Sequence, residues 1–188
     1  MTQLINIWQQ ESYIKAWEFA CHAHNGQKLP GADIPYINHI ANVAMEVMAV
    51  CSQQPIAEPD LLVQGALLHD SIEDTQVTYS ELENHFNITL ANGVQALSKD
   101  KTLATKALQM KDTLVRIKQQ KVEIWMIKLA DRITNLQTPP SYWNTEKIKN
   151  YHKEAQFILH ELHSASDYLA TRLETKIINY ERHFLPSS

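Results

Sequence analysis

The sequence predicts an all-α fold, and three observations predict it. Only 4 Gly and 7 Pro interrupt 188 residues. Between them, Leu, Ile, Val, Ala and aromatic residues recur at spacings of three and four, the repeat of a helix with one buried face. Several of these runs open on capping residues and stop at Gly or Pro. A chain of this length buries a sizeable core within one domain, here 1–188.

Taken in order, the first pattern runs from about Leu4 to His24 through Ile5, Trp8, Tyr13, Trp17, Ala20 and Cys21, and Asn25-Gly26 ends it. Pro30, Gly31 and Pro35 make the next stretch a loop. A second helix carries Ile40, Val43, Ala44, Val47 and Met48, with His39 at its start. Pro55 and Pro59 mark a connection, after which Asp60 is the expected N-cap of an apolar helix that ends at His69-Asp70. Thr78-Tyr79-Ser80-Glu81 has capping-box spacing and opens a short helix through Leu82 and Phe86. Another is centred on Leu90, Val94 and Leu97, and a lysine-rich stretch follows. From about Lys121 to Gln137, Val122, Trp125, Met126, Leu129, Ile133 and Leu136 share one helical face. Thr138-Pro139-Pro140 stops that helix. Two more, around Glu146 to Leu162 and Asp167 to Phe184, complete the chain.

A net charge of −4 argues against a broadly basic surface for a nucleic-acid polymer, so an anionic ligand must be small or locally held. Cys21 and Cys51 have no CxxC or zinc-finger spacing and read as reduced, inert thiols. No basic, apolar leader and no membrane-length apolar run is present, which predicts a cytoplasmic protein without membrane partners.

Function is concentrated in Ala66-Leu67-Leu68-His69-Asp70-Ser71-Ile72-Glu73-Asp74-Thr75. A histidine and three acids at the end of an apolar run are costly to bury unpaired, and a bound cation removes that cost. Continued helical spacing stacks His69 with Glu73 and Asp70 with Asp74, putting two candidate metal ligands beside two candidate proton carriers. Across from the apolar face of the 121–137 helix, at about 100° per residue, Lys128, Asp131, Asn135 and Thr138 fall in one sector. That sector is a cleft wall or a solvated face. His39, His69, Asp70 and Asp131 form one site only if three helices converge.

Tyr36-Ile37-x-His39, Leu67-Leu68-His69-Asp70-x-x-Glu73-Asp74-Thr75 and Lys128-Leu129-Ala130-Asp131-Arg132-x-x-Asn135 resemble, in order, the HD hydrolase domain of Rel/Spo homologues. From about Phe19 to the C-terminus the chain is most similar to the stand-alone small alarmone hydrolases, which lack a synthetase or regulatory domain. The resemblance implies an HD-domain helical bundle and a Mn²⁺-dependent 3′-pyrophosphohydrolase. Its substrates would be ppGpp and pppGpp, its products GDP or GTP and pyrophosphate. It also implies His39, His69, Asp70 and Asp131 as ligands of one Mn²⁺, Glu73 and Asp74 as the residues that position or deprotonate water, and Asn135 as a nucleotide contact. Mixed imidazole and carboxylate donors independently suit such an ion.

The Gly-Gln-x-Arg-Lys segment of those enzymes is Gly26-Gln27-Lys28-Leu29-Pro30-Gly31 here, leaving Lys28 as the substitute and making ppApp and pppApp credible substrates. Thr138 is kept, while Gln137 replaces a common arginine. Lys99, Lys101, Lys106 and Lys111 either surround a polyphosphate or form a solvated surface. Lys101 is singled out because Lys99-Asp100-Lys101-Thr102-Leu103 resembles a segment near the nucleotide site. The remaining histidines are assigned structural or surface roles, and Trp143, Tyr151, Phe157 and Tyr168 a core role. Competing readings are another HD-scaffold phosphohydrolase, such as a 5′-deoxynucleotidase or NADPH phosphatase, and an inactive nucleotide sensor. Oligomeric state is left open.

Overall fold

The computed structural model describes residues 7–185, so the part of the first predicted helix at Leu4 and Ile5 lies outside the described residues. Among the described residues ten α-helices follow one another: α1 (Gln10–Ala23), α2 (Ile37–Gln53), α3 (Pro59–Leu68), α4 (Ser71–Asp74), α5 (Tyr79–His85), α6 (Ile88–Leu97), α7 (Lys106–Lys118), α8 (Val122–Asn135), α9 (Thr145–Leu162) and α10 (Asp167–Phe184). A 3-10 turn, His163–Ala165, joins the last two. Among the described residues there is no strand, only an isolated bridge between Lys28 and Pro35. The all-α expectation holds.

Helix α8 is the axis. It packs against α2, α3, α6, α7, α9 and α10, and every residue from Met126 to Thr134 is buried. The sequence pattern gives this helix one apolar face and one polar face; the structure buries both, because neighbours surround it, while Val122 at its start is exposed. Small residues admit the closest neighbours: a Cβ on Gly65 would lie 2.6 Å from Ile127 Cδ1, and one on Gly93 2.4 Å from Ile124 Cδ1. Ile127 thus joins α3, which leads into His69, to α8, which carries Asp131. We expect Ile127→Ala to cost about 2–5 kcal/mol through the cavity left between them, measured by urea unfolding.

Several boundaries depart from expectation for identifiable reasons. Residues 7–9 are not helical, so α1 is shorter than predicted. Asp60 does not cap α3: Pro59 takes the first helical position, the Glu58 N–H is met by buried Glu123 Oε1 at 3.0 Å, and Asp60 Oδ1 accepts from Gln9 N at 2.7 Å. The Thr78 to Glu81 capping box forms with both reciprocal bonds. Helix α7 is absent from the sequence expectation, although Met110, Thr113, Leu114 and Ile117 form its buried stripe at helical spacing; dense Lys and Gln around the stripe conceal it. Gly26 and Gly31, with φ of 80° and 77°, turn the loop between α1 and α2.

The break between α3 and α4 matters most. The last carbonyls of α3 are taken by side chains, Ala66 O by His69 Nδ1 at 2.8 Å and Leu68 O by Ser71 Oγ at 2.6 Å. Asp70 adopts φ −100° and ψ 0°, the bridge region. Uninterrupted helical stacking of His69 on Glu73 is therefore not realised.

Candidate active site

Two helices and one helix break converge on a buried cluster. His39 comes from the first turn of α2, His69 and Asp70 from the α3–α4 break, and Asp131 from α8. His39 Nε2 stands 3.3 Å from His69 Nε2, 3.5 Å from Asp70 Oδ2 and 3.4 Å from Asp131 Oδ1. His69 Nε2 stands 3.0 Å from Asp70 Oδ2 and 3.9 Å from Asp131 Oδ1. The donor atoms of His39, His69 and Asp70 all lie within 4.8 Å of one another, a grouping that could hold a metal ion. With its Nδ1 directed at the Ala66 carbonyl, His69 presents Nε2 to the cluster, the orientation a ligating imidazole takes.

Electrostatics reinforce the geometry. Burial works against charging His39, yet its bonds to Asp131 and Asp70 prevail and raise it to about 9. Burial and the neighbouring carboxylates act on His69 in the same opposing senses, with a net rise. Burial pushes Asp70 and Asp131 up, but His69 on the first and Lys128 on the second pull both well below the usual carboxylate range. The four groups demand positive charge. Two imidazole nitrogens with carboxylate oxygens are a donor set that suits a divalent transition-metal ion.

Supporting contacts hold the carboxylates. Tyr36 OH donates to Asp70 Oδ2 at 2.5 Å and lies 3.5 Å from Asp74 Oδ2, so Asp70 and Asp74 do share a face. Burial together with Asp70 and Glu73 raises Asp74 above the ordinary value. Lys128, buried at the cleft wall, donates to Asp131 Oδ2 at 2.8 Å, and Asn135 Nδ2 donates to Oδ1. Glu73 lies outside the ligand grouping and is paired with Lys99, Nζ to Oε1 at 3.0 Å.

The cluster opens into a cleft of about 1240 Å³ whose walls include Tyr36, Asp70, Glu73, Asp74, Asp131 and Asn135. Seven lysines also line it: Lys99, Lys101, Lys106, Lys111, Lys128, Lys147 and Lys153. All four lysines of the Lys-rich stretch thus stand on the cleft wall, with Lys101, Lys106 and Lys111 exposed to solvent there. The structure does not bring Lys28 or Thr138 to the wall: Lys28 is exposed and paired with Asp33, and Thr138 is exposed beyond the end of α8.

Other wall residues escape sequence reasoning. Trp143, Tyr151 and Phe157 read as core; all three line the cleft, Tyr151 while also packing on the core, and Tyr168 is exposed. Lys147 Nζ lies 4.2 Å from the Trp143 ring centroid, and Arg132 lies 4.3 Å from that of Tyr151. Arg132 is 4% exposed and is held by Glu154. The adjacency of Arg132 to Asp131 is a usable signal; the aromatic residues give none, since a ring on a helix reads the same in a core and on a wall.

Comparison with known proteins agrees with this architecture. A family model described as HD domain matches residues 16–167. Guanosine-3′,5′-bis(diphosphate) 3′-pyrophosphohydrolase MESH1 of Xenopus tropicalis is 30% identical over 86% of this chain and 90% of its own. The Danio rerio protein of the same name is 29% identical over 83% and 87%. A solved structure, described as a metazoan ortholog of SpoT that hydrolyzes ppGpp and plays a role in starvation responses, superposes with a TM-score of 0.78. That match covers 95% of this chain and 99% of the other at 23% identity, and shows a common fold. On the span of the family model and the near full-length relatives, the chain belongs to the HD domain family.

Proposed function

We propose that this chain is a guanosine-3′,5′-bis(diphosphate) 3′-pyrophosphohydrolase that works with one divalent cation, Mn²⁺, held by His39, His69, Asp70 and Asp131. The observation that carries the reading is the convergence of those four groups at the acidic end of a lysine-lined cleft. MESH1 relatives named for this reaction at about the same chain length support it. When bound, the cation acidifies a water molecule and neutralises phosphate oxygens.

The chain's own residues supply the rest. Asp74, raised by burial and by Asp70 and Glu73, and Glu73 itself are the groups that orient water and take its proton. Tyr36, Lys128 and Asn135 hold the ligand carboxylates in fixed orientation, so no side chain reorganises as charge develops. Lys106, Lys111, Lys147 and Lys153 are suited to phosphate oxygens, and the faces of Trp143 and Tyr151 to a nucleobase. Asn135 and Lys101 are assigned to the nucleotide as well; Lys28 and Thr138 would reach it only by moving, since neither is on the cleft wall. Because Lys28 is paired with Asp33, adenine alarmones such as ppApp belong among the substrates to be tested.

We read 1–188 as one hydrolase domain acting in the cytoplasm on a small nucleotide, without a nucleic-acid polymer or membrane. No helix among the described residues is long and apolar enough to cross a membrane. The test is incubation of metal-stripped protein with ppGpp or ppApp, with and without Mn²⁺, and separation of products by anion exchange. Mn²⁺-dependent release of pyrophosphate is expected, abolished by a chelator and restored by the ion. Release of inorganic phosphate instead would point to another HD-scaffold phosphohydrolase, and binding without turnover to a sensor.

A further inference from the structure

Lys99 and Lys101 stand in the cleft wall, yet both contact Glu73. Lys99 holds both oxygens of that carboxylate, Nζ to Oε1 and its own backbone N–H to Oε2, each at 3.0 Å. Lys101 Nζ donates to the Glu73 carbonyl at 2.8 Å. The connection that delivers them, Ser98 to Thr105, is itself fastened. Arg116 of α7 donates to the carbonyls of Gln95, Ala96 and Ser98 at 2.8–2.9 Å, and Asp100 Oδ1 accepts from Thr102 N and Oγ1 at 2.9 and 2.6 Å.

Helix α4 has only four residues, too few to order itself, so the place of the Glu73 side chain must be set from outside. Its charged neighbours are Asp74 on its own segment and Lys99 and Lys101 on the α6–α7 connection, while Asp70 acts on both Asp74 and Lys99, and Asp131 of α8 on Lys99. Helix α6, which packs on α4, carries no titratable side chain. Left to the carboxylates, Glu73 would be repelled from the cleft; Lys99 holds it there, 11% exposed.

We propose that Lys99 is the positioning residue of Glu73, fixing its carboxylate at the cleft wall outside the ligand cluster, rather than a phosphate contact. This rests on the proton-handling role proposed above for Glu73. The experiment is a double-mutant cycle with ppGpp and Mn²⁺: wild type, Lys99→Met, Glu73→Gln and the double variant, with Lys99→Arg as the conservative replacement. For Lys99→Met we expect kcat to fall about 10- to 100-fold, the scale of a misplaced reacting group, with KM and Mn²⁺ affinity within about twofold of wild type. Lys99→Arg should recover most of the loss. In the Glu73→Gln background Lys99→Met should change kcat by less than about twofold, since residues acting as one unit are non-additive.

A raised KM with kcat preserved, or a full further loss in the Glu73→Gln background, would make Lys99 a substrate contact and overturn the inference. So would a Lys99→Met enzyme as fast as wild type. Lys99→Gln is the second neutral variant should the first not fold, and circular dichroism reports folding for each. A wild-type protein without turnover would overturn the hydrolase reading and this inference together, whereas an active wild type confines any failure to Lys99.

Discussion

Asp131→Asn should lose Mn²⁺ binding and ppGpp turnover together while keeping its helices. The substitution removes the negative charge that faces both imidazoles at 3.4 and 3.9 Å and leaves the side-chain shape nearly intact. Asparagine is the informative replacement because Lys128, also buried, donates to the same side chain. Asp131→Ala would strand that ammonium in the interior, a loss of about 3–5 kcal/mol that would mix instability with inactivity. The fall in cation affinity should exceed the roughly 10–100-fold that loss of a supporting residue costs. Isothermal titration with Mn²⁺, steady-state turnover and far-ultraviolet circular dichroism on one preparation decide the matter. Unchanged affinity would remove Asp131 from the ligand set. Asp70→Asn should behave the same way, with Tyr36 left to hydrogen-bond the amide oxygen.

Glu73→Gln should separate what Asp131→Asn joins: kcat lower by about 10²–10⁴-fold, the range for loss of a general acid or base, with Mn²⁺ affinity retained. The separation follows from position. Glu73 lies outside the grouping of His39, His69 and Asp70 and bonds to Lys99 instead. Its amide can still accept one of the two Lys99 bonds, so the short helix α4 stays close to its place. Equal losses of affinity and turnover would make Glu73 a ligand or a structural residue and pass the proton to Asp74.

Much of the fold is legible because its helices announce themselves locally. The Thr78 to Glu81 box, the Asn25-Gly26 stop and the apolar spacing of α9 and α10 each depend on a few adjacent residues. Errors arise where a distant partner decides. Asp60 looks like a cap and bonds to Gln9 instead, because Glu123, 65 positions away from Glu58, meets the start of α3. Lys128 and Asp131 look like a solvated or cleft-facing stripe and prove to be a nearly buried ion pair at the cleft wall, not a solvated face. Trp143 looks like core and proves to be cleft wall, and Tyr151 serves as both, since aromatic residues suit both environments.

By itself the sequence determined an all-helical chain and an ordered set of His, Asp and Glu residues at the ends of apolar helices, because helix spacing and motif order are local and survive without a fold. Tertiary packing alone decided which of those residues meet. It brought His39, the His69-Asp70 break and Asp131 within 4 Å through the close seating of α2 and α3 on α8, sent Glu73 to Lys99, and left Lys28 and Thr138 outside the cleft. Distances between side chains on different helices depend on the sum of all core contacts, and no short stretch of sequence contains that sum.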